Sequence, residues 1–269
     1  MGEAVTAYLE AKSEILSIKR AQVAWKAAAP FWGTLPIARV DQQTPIDYRA
    51  ARSHCRIITV RNELAVIRAA LNWAEKEKLI GKAPHIAMPS LPPPNIEHLT
   101  KAQFRKLVEG ARRPHVALFM KLAVATGARS NALLDLTWDR VDFERGLFYL
   151  NPRDRVQTSK YRATVPMNAQ IRQALLEAKE GALSEYVIEH GRGKVLSIKK
   201  GFAAACERSG IVATPHMLRH SAAVWMAEAG EPMPVIGQFL GHSDSRITER
   251  VYARFSPSFL ASAAEALTW

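Results

Sequence analysis

Four separated segments concentrate side chains that could act on a phosphodiester. Ala125-Thr126-Gly127-Ala128-Arg129 presents an arginine just past a predicted helix end, and Thr158-Ser159-Lys160-Tyr161-Arg162 fills a turn between two predicted strands. His216-Met217-Leu218-Arg219-His220 opens a helix, and Leu240-Gly241-His242 is followed ten residues later by Tyr252. Breaking a phosphodiester without a metal needs a clamp on the nonbridging oxygens, which two arginines supply in planar geometry. It needs a nucleophile in line with phosphorus, and a phenol can serve while leaving a stable ester. A lysine can protonate the departing 5′ oxygen, and histidines exchange protons near neutral pH. Arg129, Lys160, His216, Arg219, His242 and Tyr252 make up that set.

Taken singly, each has a plainer reading. Arg129 could be an ion-pair partner, Lys160 and Arg162 exposed turn charges, and Tyr252, beside Val251 and Phe255, a core residue of an amphipathic helix. His216 and His220 stand at a zinc-compatible i, i+4 spacing. Met217, however, takes the place of the glutamate in H-E-x-x-H, and Arg219 sets a cation within the pair. His220 reads as a satisfied supporting or core histidine, not a ligand.

These segments need elements to hold them. Helical apolar spacing covers Val5 to Lys12, Ile18 to Trp32, Asp47 to Arg56 and, most strongly, Val60 to Leu79, with Leu64, Ile67, Leu71 and Ala74 on one stripe. Pro84 to Asn95 contains five prolines, which favour an extended linker. Beyond it, Thr100 to Gln103 reads as a capping box opening a helix to about Arg112, and a helix from His115 to Thr126 stops at Gly127. Leu147 to Leu150 and Ala163 to Pro166 read as strands flanking the polar segment Asn151 to Arg162. Helices follow over Ala169–Lys179, Ile198–Arg208, Pro215–Ala229, Val235–Leu240, Arg246–Phe255 and Phe259–Leu267, with Thr214-Pro215 as a start and Gly230 and Gly241 as stops.

The chain has 269 residues, 48% of them hydrophobic, enough for one large or two modest cores. Its 37 Lys and Arg against 25 Asp and Glu leave +12, with a pI near 9.9, a field that attracts polyanions and nucleic acid first among them. Arg49, Arg52, Arg56, Arg61 and Arg68 recur along the two helices before the linker; with Arg162 they are expected DNA contacts, a solvated helix face being the alternative. Cys55 and Cys206 are far apart, each in an apolar helical setting, and read as buried reduced thiols. The N-terminus lacks a signal-peptide pattern, and the apolar run from Val116 to Ala128 is interrupted by Lys121 and too short to span a bilayer. The expectation is a cytoplasmic, nucleoid-associated protein with no membrane partner.

In order along the chain, A-T-G-x-R, a strand-turn lysine, H-x-L-R-H, L-G-H and a tyrosine ten residues on resemble the tyrosine recombinases, the phage integrase family. Leu71-Asn72-Trp73-Ala74, Leu79-Ile80 and Pro84 add a weaker echo. The resemblance implies a fold that is mainly α with a small antiparallel β-sheet. It places a helical core-binding domain at residues 1–88, the linker at 89–97 and an α+β catalytic domain at 98–269. It also implies that Tyr252 attacks a phosphate held by Arg129, Arg219 and His242, forms a 3′-phosphotyrosyl link and releases a 5′ hydroxyl protonated by Lys160. His216 would exchange protons with tyrosine and phosphate. No metal, ATP or other cofactor is implied.

The implied partners are double-stranded DNA, three further copies forming a tetramer on it, and accessory DNA-bending or directionality factors. The implied task is integration or excision of a phage or other mobile element.

Three features depart from the family pattern. The acidic residue usual three positions after the first arginine is replaced by Ala132, and Asp135 reads as too far round the helix to replace it. Lys160 stands six residues before Pro166, closer than in longer versions of the hairpin. The chain starts almost at the core-binding domain, so an N-terminal arm-binding domain is not expected in it. Competing readings are a type IB topoisomerase, a DNA-binding regulator that has lost catalysis, and a metal-dependent nuclease, which would need a carboxylate cluster the sequence does not offer.

Overall fold

The computed structural model describes residues 1–15, 18–92, 95–152, 161–242, 244–256, 264–265 and 267, and the chain divides into two units, Met1–Pro93 and Pro94–Trp269. Among its described residues the first holds four α-helices, α1 (Gly2–Ala11), α2 (Ile18–Trp32), α3 (Thr44–Ala51) and α4 (Ile57–Lys76). The stripe on α4 does what its spacing predicts: Val60, Leu64, Ile67 and Leu71 are buried around Trp32, Tyr48 and Ile86. Each fully buried side chain of this size contributes roughly 1.5–3 kcal/mol. Val5 and Leu9 of α1 close the other side of α4 against Ala70.

Among the described residues of this unit, Glu63 is a buried charge. Glu63 accepts a hydrogen bond from Tyr48 Oη at 2.6 Å and an ion pair from Arg52 at 2.7 Å. Burial, together with the carboxylate, pushes the Tyr48 phenol well above its usual range. Arg61 donates to the Pro89 carbonyl at 2.6 Å, tying the start of the proline segment to the first unit.

Two expectations are corrected here. The third helix covers Thr44–Ala51, not Asp47 to Arg56, because Asp41 Oδ1 accepts from the backbone nitrogens of Gln43 and Thr44 and starts the helix before Pro45. Cys55 therefore lies in the turn after α3 and not within a helix. Cys55 and Cys206 are free thiols, and both are half-buried where fully buried thiols were expected.

In the second unit α5 (Lys101–Glu109) opens with the expected capping box of Thr100 and Gln103. It is followed by α6 (Pro114–Thr126) and the short α7 (Ser130–Leu134). Strands β1 (Val141–Asp142), β2 (Leu147–Tyr149) and β3 (Thr164–Pro166) pair antiparallel in chain order, Phe148 facing Val141 on one side and Val165 on the other. After α8 (Ala169–Glu180), β4 (Glu189–His190) and β5 (Gly193–Lys194) form a second small hairpin. Four helices complete the described unit: α9 (Lys199–Ser209), α10 (Pro215–Glu228), α11 (Met233–Leu240) and α12 (Ser245–Tyr252), the last running into a 3-10 turn at Ala253–Phe255.

The expected fold, mainly α with a small antiparallel sheet, is the one observed. Sequence reading missed β1 and the β4–β5 hairpin, since two-residue strands carry no alternation to detect. The expected terminal helix at Phe259–Leu267 and the segment 153–160 lie largely or wholly outside the described residues.

The main core of this unit joins Phe119, Leu122, Phe148, Val165, Phe202 and Leu218. A second cluster packs Ala223, Val224, Ala227, Ile236, Leu240 and Tyr252 together, with Ile96 against it. Leu99 is fixed to α10, its nitrogen donating to Ser221 Oγ at 2.8 Å and its oxygen accepting from Trp225 Nε1 at 2.9 Å. The residues just after the prolines thus belong to the second unit.

Candidate functional site

The site is built where two helices end. α6 terminates at Gly127 (φ +58°) and α11 at Gly241 (φ +67°), both left-handed turns in which an L side chain is strained. Space forbids side chains there as well. A Cβ on Gly127 would come within 2.6 Å of Leu240 Cδ2, and one on Gly241 within 3.0 Å of the Tyr161 carbonyl. Helix ends leave carbonyls without intrahelical partners and carry partial negative charge. Both ends point theirs at one cation: Arg219 Nη1 donates to Gly127 O at 2.7 Å and to Leu240 O at 2.8 Å.

Arg219 is only 4% exposed. Its other terminal nitrogen, Nη2, is buried with no hydrogen-bond partner among the described residues. Burial, with Arg129 nearby, pulls its pKa down to about 10, so the group keeps its charge at neutral pH. A buried cation held by neutral carbonyls, with donors to spare, is arranged to receive an anion.

The other predicted residues gather around it. Arg129 follows Gly127 at the start of α7 and donates from Nη1 to Tyr161 O at 3.1 Å. His216 and His220, one turn apart on α10, meet edge to face with ring centroids 4.6 Å apart. His216 opens to solvent, yet desolvation and then Arg219 and Arg129 hold its pKa down. His242, one residue past Gly241, bonds through Nδ1 to the buried Thr248 Oγ1 at 2.7 Å. Burial, followed by Arg219, Arg129 and His220, lowers its pKa to about 4.

Tyr252, at the end of α12, is 2% exposed, and its hydroxyl meets His220 Nδ1 at 2.6 Å. Burial raises its pKa, and Arg219 partly opposes that rise. Lys160 lies outside the described residues.

His220, read as a supporting histidine, meets the Tyr252 hydroxyl, a contact of the kind that reading describes. At two other points the structure adds partners that the sequence reading did not foresee. Arg162, read as a DNA contact, turns its guanidinium onto Asp135 at 2.7 Å. Asp135, read as too far round the helix to replace the missing acid, receives Lys194 Nζ at 2.7 Å as well. Its carboxyl pKa ends low: burial would raise it, and the bonds from Lys194 and Arg162 outweigh that. Ala132 is itself buried, at the place where the family pattern has an acid. Sequence spacing could not have found this group, because Lys194 comes from a hairpin 59 residues away.

Among the expected DNA contacts of the first unit, Arg52 is committed to Glu63 and Arg61 to Pro89, while Arg49, Arg56 and Arg68 are exposed. Among the described residues, no group of three or more His, Cys, Asp or Glu could hold a metal ion, and no helix is long and apolar enough to cross a membrane.

The phage integrase family model covers residues 97–258, which include Arg129, Lys160, His216, Arg219, His220, His242 and Tyr252. The chain belongs to the phage integrase family. Relatives include the integrase of Salmonella phage P22, 26% identical over 76% of this chain, and the tyrosine recombinase XerA of Pyrococcus furiosus, 26% identical over 80%. The chain spans 56% of the length of the first and 77% of the second. In fold, it resembles the Tn1549 transposon integrase solved with transposon right end DNA, at a TM-score of 0.81 and 17% identity over 98% of both chains. It also resembles lambda integrase in a tetramer bound to a Holliday junction, at a TM-score of 0.75 and 18% identity over 93% of this chain and 76% of that one.

Proposed function

We propose that this integrase-family protein is a site-specific DNA recombinase that cuts and rejoins strands through a 3′-phosphotyrosyl bond at Tyr252. One observation supports the reading above the rest. The buried Arg219 spends Nη1 on two helix-end carbonyls and keeps Nη2 unpartnered among the described residues, with Arg129 and Tyr252 both near enough to act on it electrostatically. A scissile phosphate seated there offers the missing acceptor. Preorganised charge of this kind gains most from the extra negative charge of the pentacoordinate transition state.

The roles follow. Arg129 and Arg219 bind the nonbridging oxygens and His242, steadied by Thr248, donates to one of them. Tyr252 attacks phosphorus as the bond to the 5′ oxygen breaks, and Lys160 protonates that oxygen. His216 exchanges protons at the phosphate. The 5′ hydroxyl of a second duplex then attacks the phosphotyrosine, so the ester's energy is kept and neither ATP nor another cofactor is consumed. In this reading the first unit, together with its proline linker, grips DNA as a core-binding domain, and four copies act on two duplexes. The biological task is integration or excision of a mobile element by a cytoplasmic, nucleoid-associated protein.

The test is relaxation of supercoiled plasmid, and of plasmid carrying candidate attachment sites, in EDTA with adducts trapped by denaturant. Relaxation with a covalent adduct, both lost in Tyr252→Phe, is the expected result. Stable DNA binding without any adduct on plasmid or on a nicked attachment site would favour a regulator that has lost catalysis. Relaxation without exchange between two duplexes would favour a topoisomerase.

A further inference from the structure

We propose that His220 is the base that takes the phenolic proton of Tyr252, a role distinct from that of His216. The assignment rests on the strand-transfer reading above. It starts from a choice among three histidines, and the geometry separates them. The Nδ1 of His242 is occupied by Thr248 Oγ1 at 2.7 Å. His216 faces solvent and meets the ring of His220 edge to face, and it is the His220 ring that lies against Tyr252. His220 Nδ1 is the atom at the hydroxyl, 2.6 Å away.

The sequence explains the placement. Thr214 and Pro215 start α10, so His216 falls in its first turn, and His220 one turn later shares its face. Tyr252 is the last residue of α12 and packs its ring among Ala223, Val224 and Ala227 of α10 and Leu240 of α11. That packing leaves its hydroxyl level with His220 and 2% of the residue open to water, so the proton needs an acceptor inside the protein.

Burial, with His216 and Arg219 on the same helix, keeps the His220 ring neutral, its pKa lowered to about 4. A neutral ring with hydrogen on Nε2 has a free lone pair at Nδ1, and the hydroxyl then donates to it. A phosphate anion arriving beside Arg219 adds negative charge next to the ring and raises its proton affinity at the moment of attack.

The step balances. The Oη–H bond breaks and an Nδ1–H bond forms, leaving an imidazolium. The phenolate oxygen bonds to phosphorus as the bond from phosphorus to the 5′ oxygen breaks, and that oxygen leaves with the electron pair and takes a proton from Lys160. On rejoining, the imidazolium returns its proton to the departing phenolate.

The experiment is single-turnover adduct formation by the full chain on a nicked attachment-site duplex, from pH 5.5 to 9.5. His220→Gln is compared with wild type because its amide oxygen can still accept the tyrosine hydrogen bond while lacking basicity. A second pair carries 3-fluorotyrosine, a more acidic phenol, at position 252. The expected result is a loss of about 10²-fold or more at pH 7 in His220→Gln, within the range for general base catalysis. That loss should shrink at high pH and with fluorotyrosine, at an unchanged melting temperature.

Cleavage at the wild-type rate or faster would show that the contact is neutral or a latch, and would overturn the assignment. A loss equal at every pH and unaffected by fluorotyrosine would reduce His220 to a structural residue. No adduct from the wild-type chain would overturn the strand-transfer reading itself, and this role with it.

Discussion

Each unit contains an arginine drawn into the protein, and the two are satisfied in opposite ways. Arg52 in the first unit meets a carboxylate, Glu63, which also takes the Tyr48 hydroxyl. Charge and hydrogen bonds there close on themselves. Arg219 in the second unit meets only backbone carbonyls, keeps its net charge and leaves Nη2 without a partner among the described residues. A self-neutralised group of this kind holds a fold together, and a polar group left uncompensated in a buried place carries a cost that ligand binding can repay. The contrast separates an arginine satisfied within the fold from one with a buried donor left over.

The largest effect should come from breaking the second arrangement. Arg219→Ala is expected to lower single-turnover cleavage by about 10²–10³-fold, the scale of losing a preorganised donor to a transition-state oxyanion. A methylphosphonate substrate, which carries one negative charge fewer, should recover part of that loss. Equal loss on both substrates would mean that Arg219 acts through the fold.

The mirror experiment targets the first unit. Arg52→Ala leaves Glu63 buried without its cation, and chemical denaturation should show a loss of about 1–3 kcal/mol. Glu63→Gln added to it should restore part of the loss, and cleavage per folded molecule should stay near wild type. A cleavage defect without destabilisation would return Arg52 to the DNA surface, where its helix spacing first suggested it.

Asp135 lies between these extremes. It pairs with both Arg162 and Lys194, and the Arg162 segment also supplies the Tyr161 carbonyl that Arg129 holds. Asp135→Asn should slow cleavage several-fold with little change in melting temperature, an effect seen as a lower rate at saturating DNA. Unchanged cleavage would leave Ala132 without a stand-in.

A further effect is on stability against pH. His220 and His242 have folded pKa values near 4 against an ordinary 6.5. As pH falls, the unfolded chain binds protons first, so this contribution is complete above 6.5 and is lost progressively toward 4. Melting temperatures measured from pH 7.5 to 4 should fall across that window, and less steeply in the double variant His220→Gln, His242→Gln.

The sequence made the helices and their stops readable, because amphipathic spacing and glycine or proline punctuation are local signals. The stripe on α4, the capping box at Thr100 and the stops at Gly127 and Gly241 are examples. The site residues could be named because A-T-G-x-R, a strand-turn lysine, H-x-L-R-H, L-G-H and a tyrosine ten residues on follow one another in order along the chain. What could not be read was who bonds to whom. His220 and Tyr252 are 32 residues apart, and Asp135 and Lys194 are 59 apart. No periodicity relates such pairs, since packing alone brings them together. The same limit made Arg52 and Arg162 look like surface charges until their partners were visible.

The most direct measurement is peptide mapping of the covalent adduct formed on a nicked attachment-site duplex in EDTA. The prediction is a single DNA-linked peptide, with the nucleotide joined through its 3′ phosphate to Tyr252, absent from Tyr252→Phe and sharply reduced in Arg219→Ala. An adduct on another residue, or cleavage that leaves no adduct and requires a divalent metal, would contradict it.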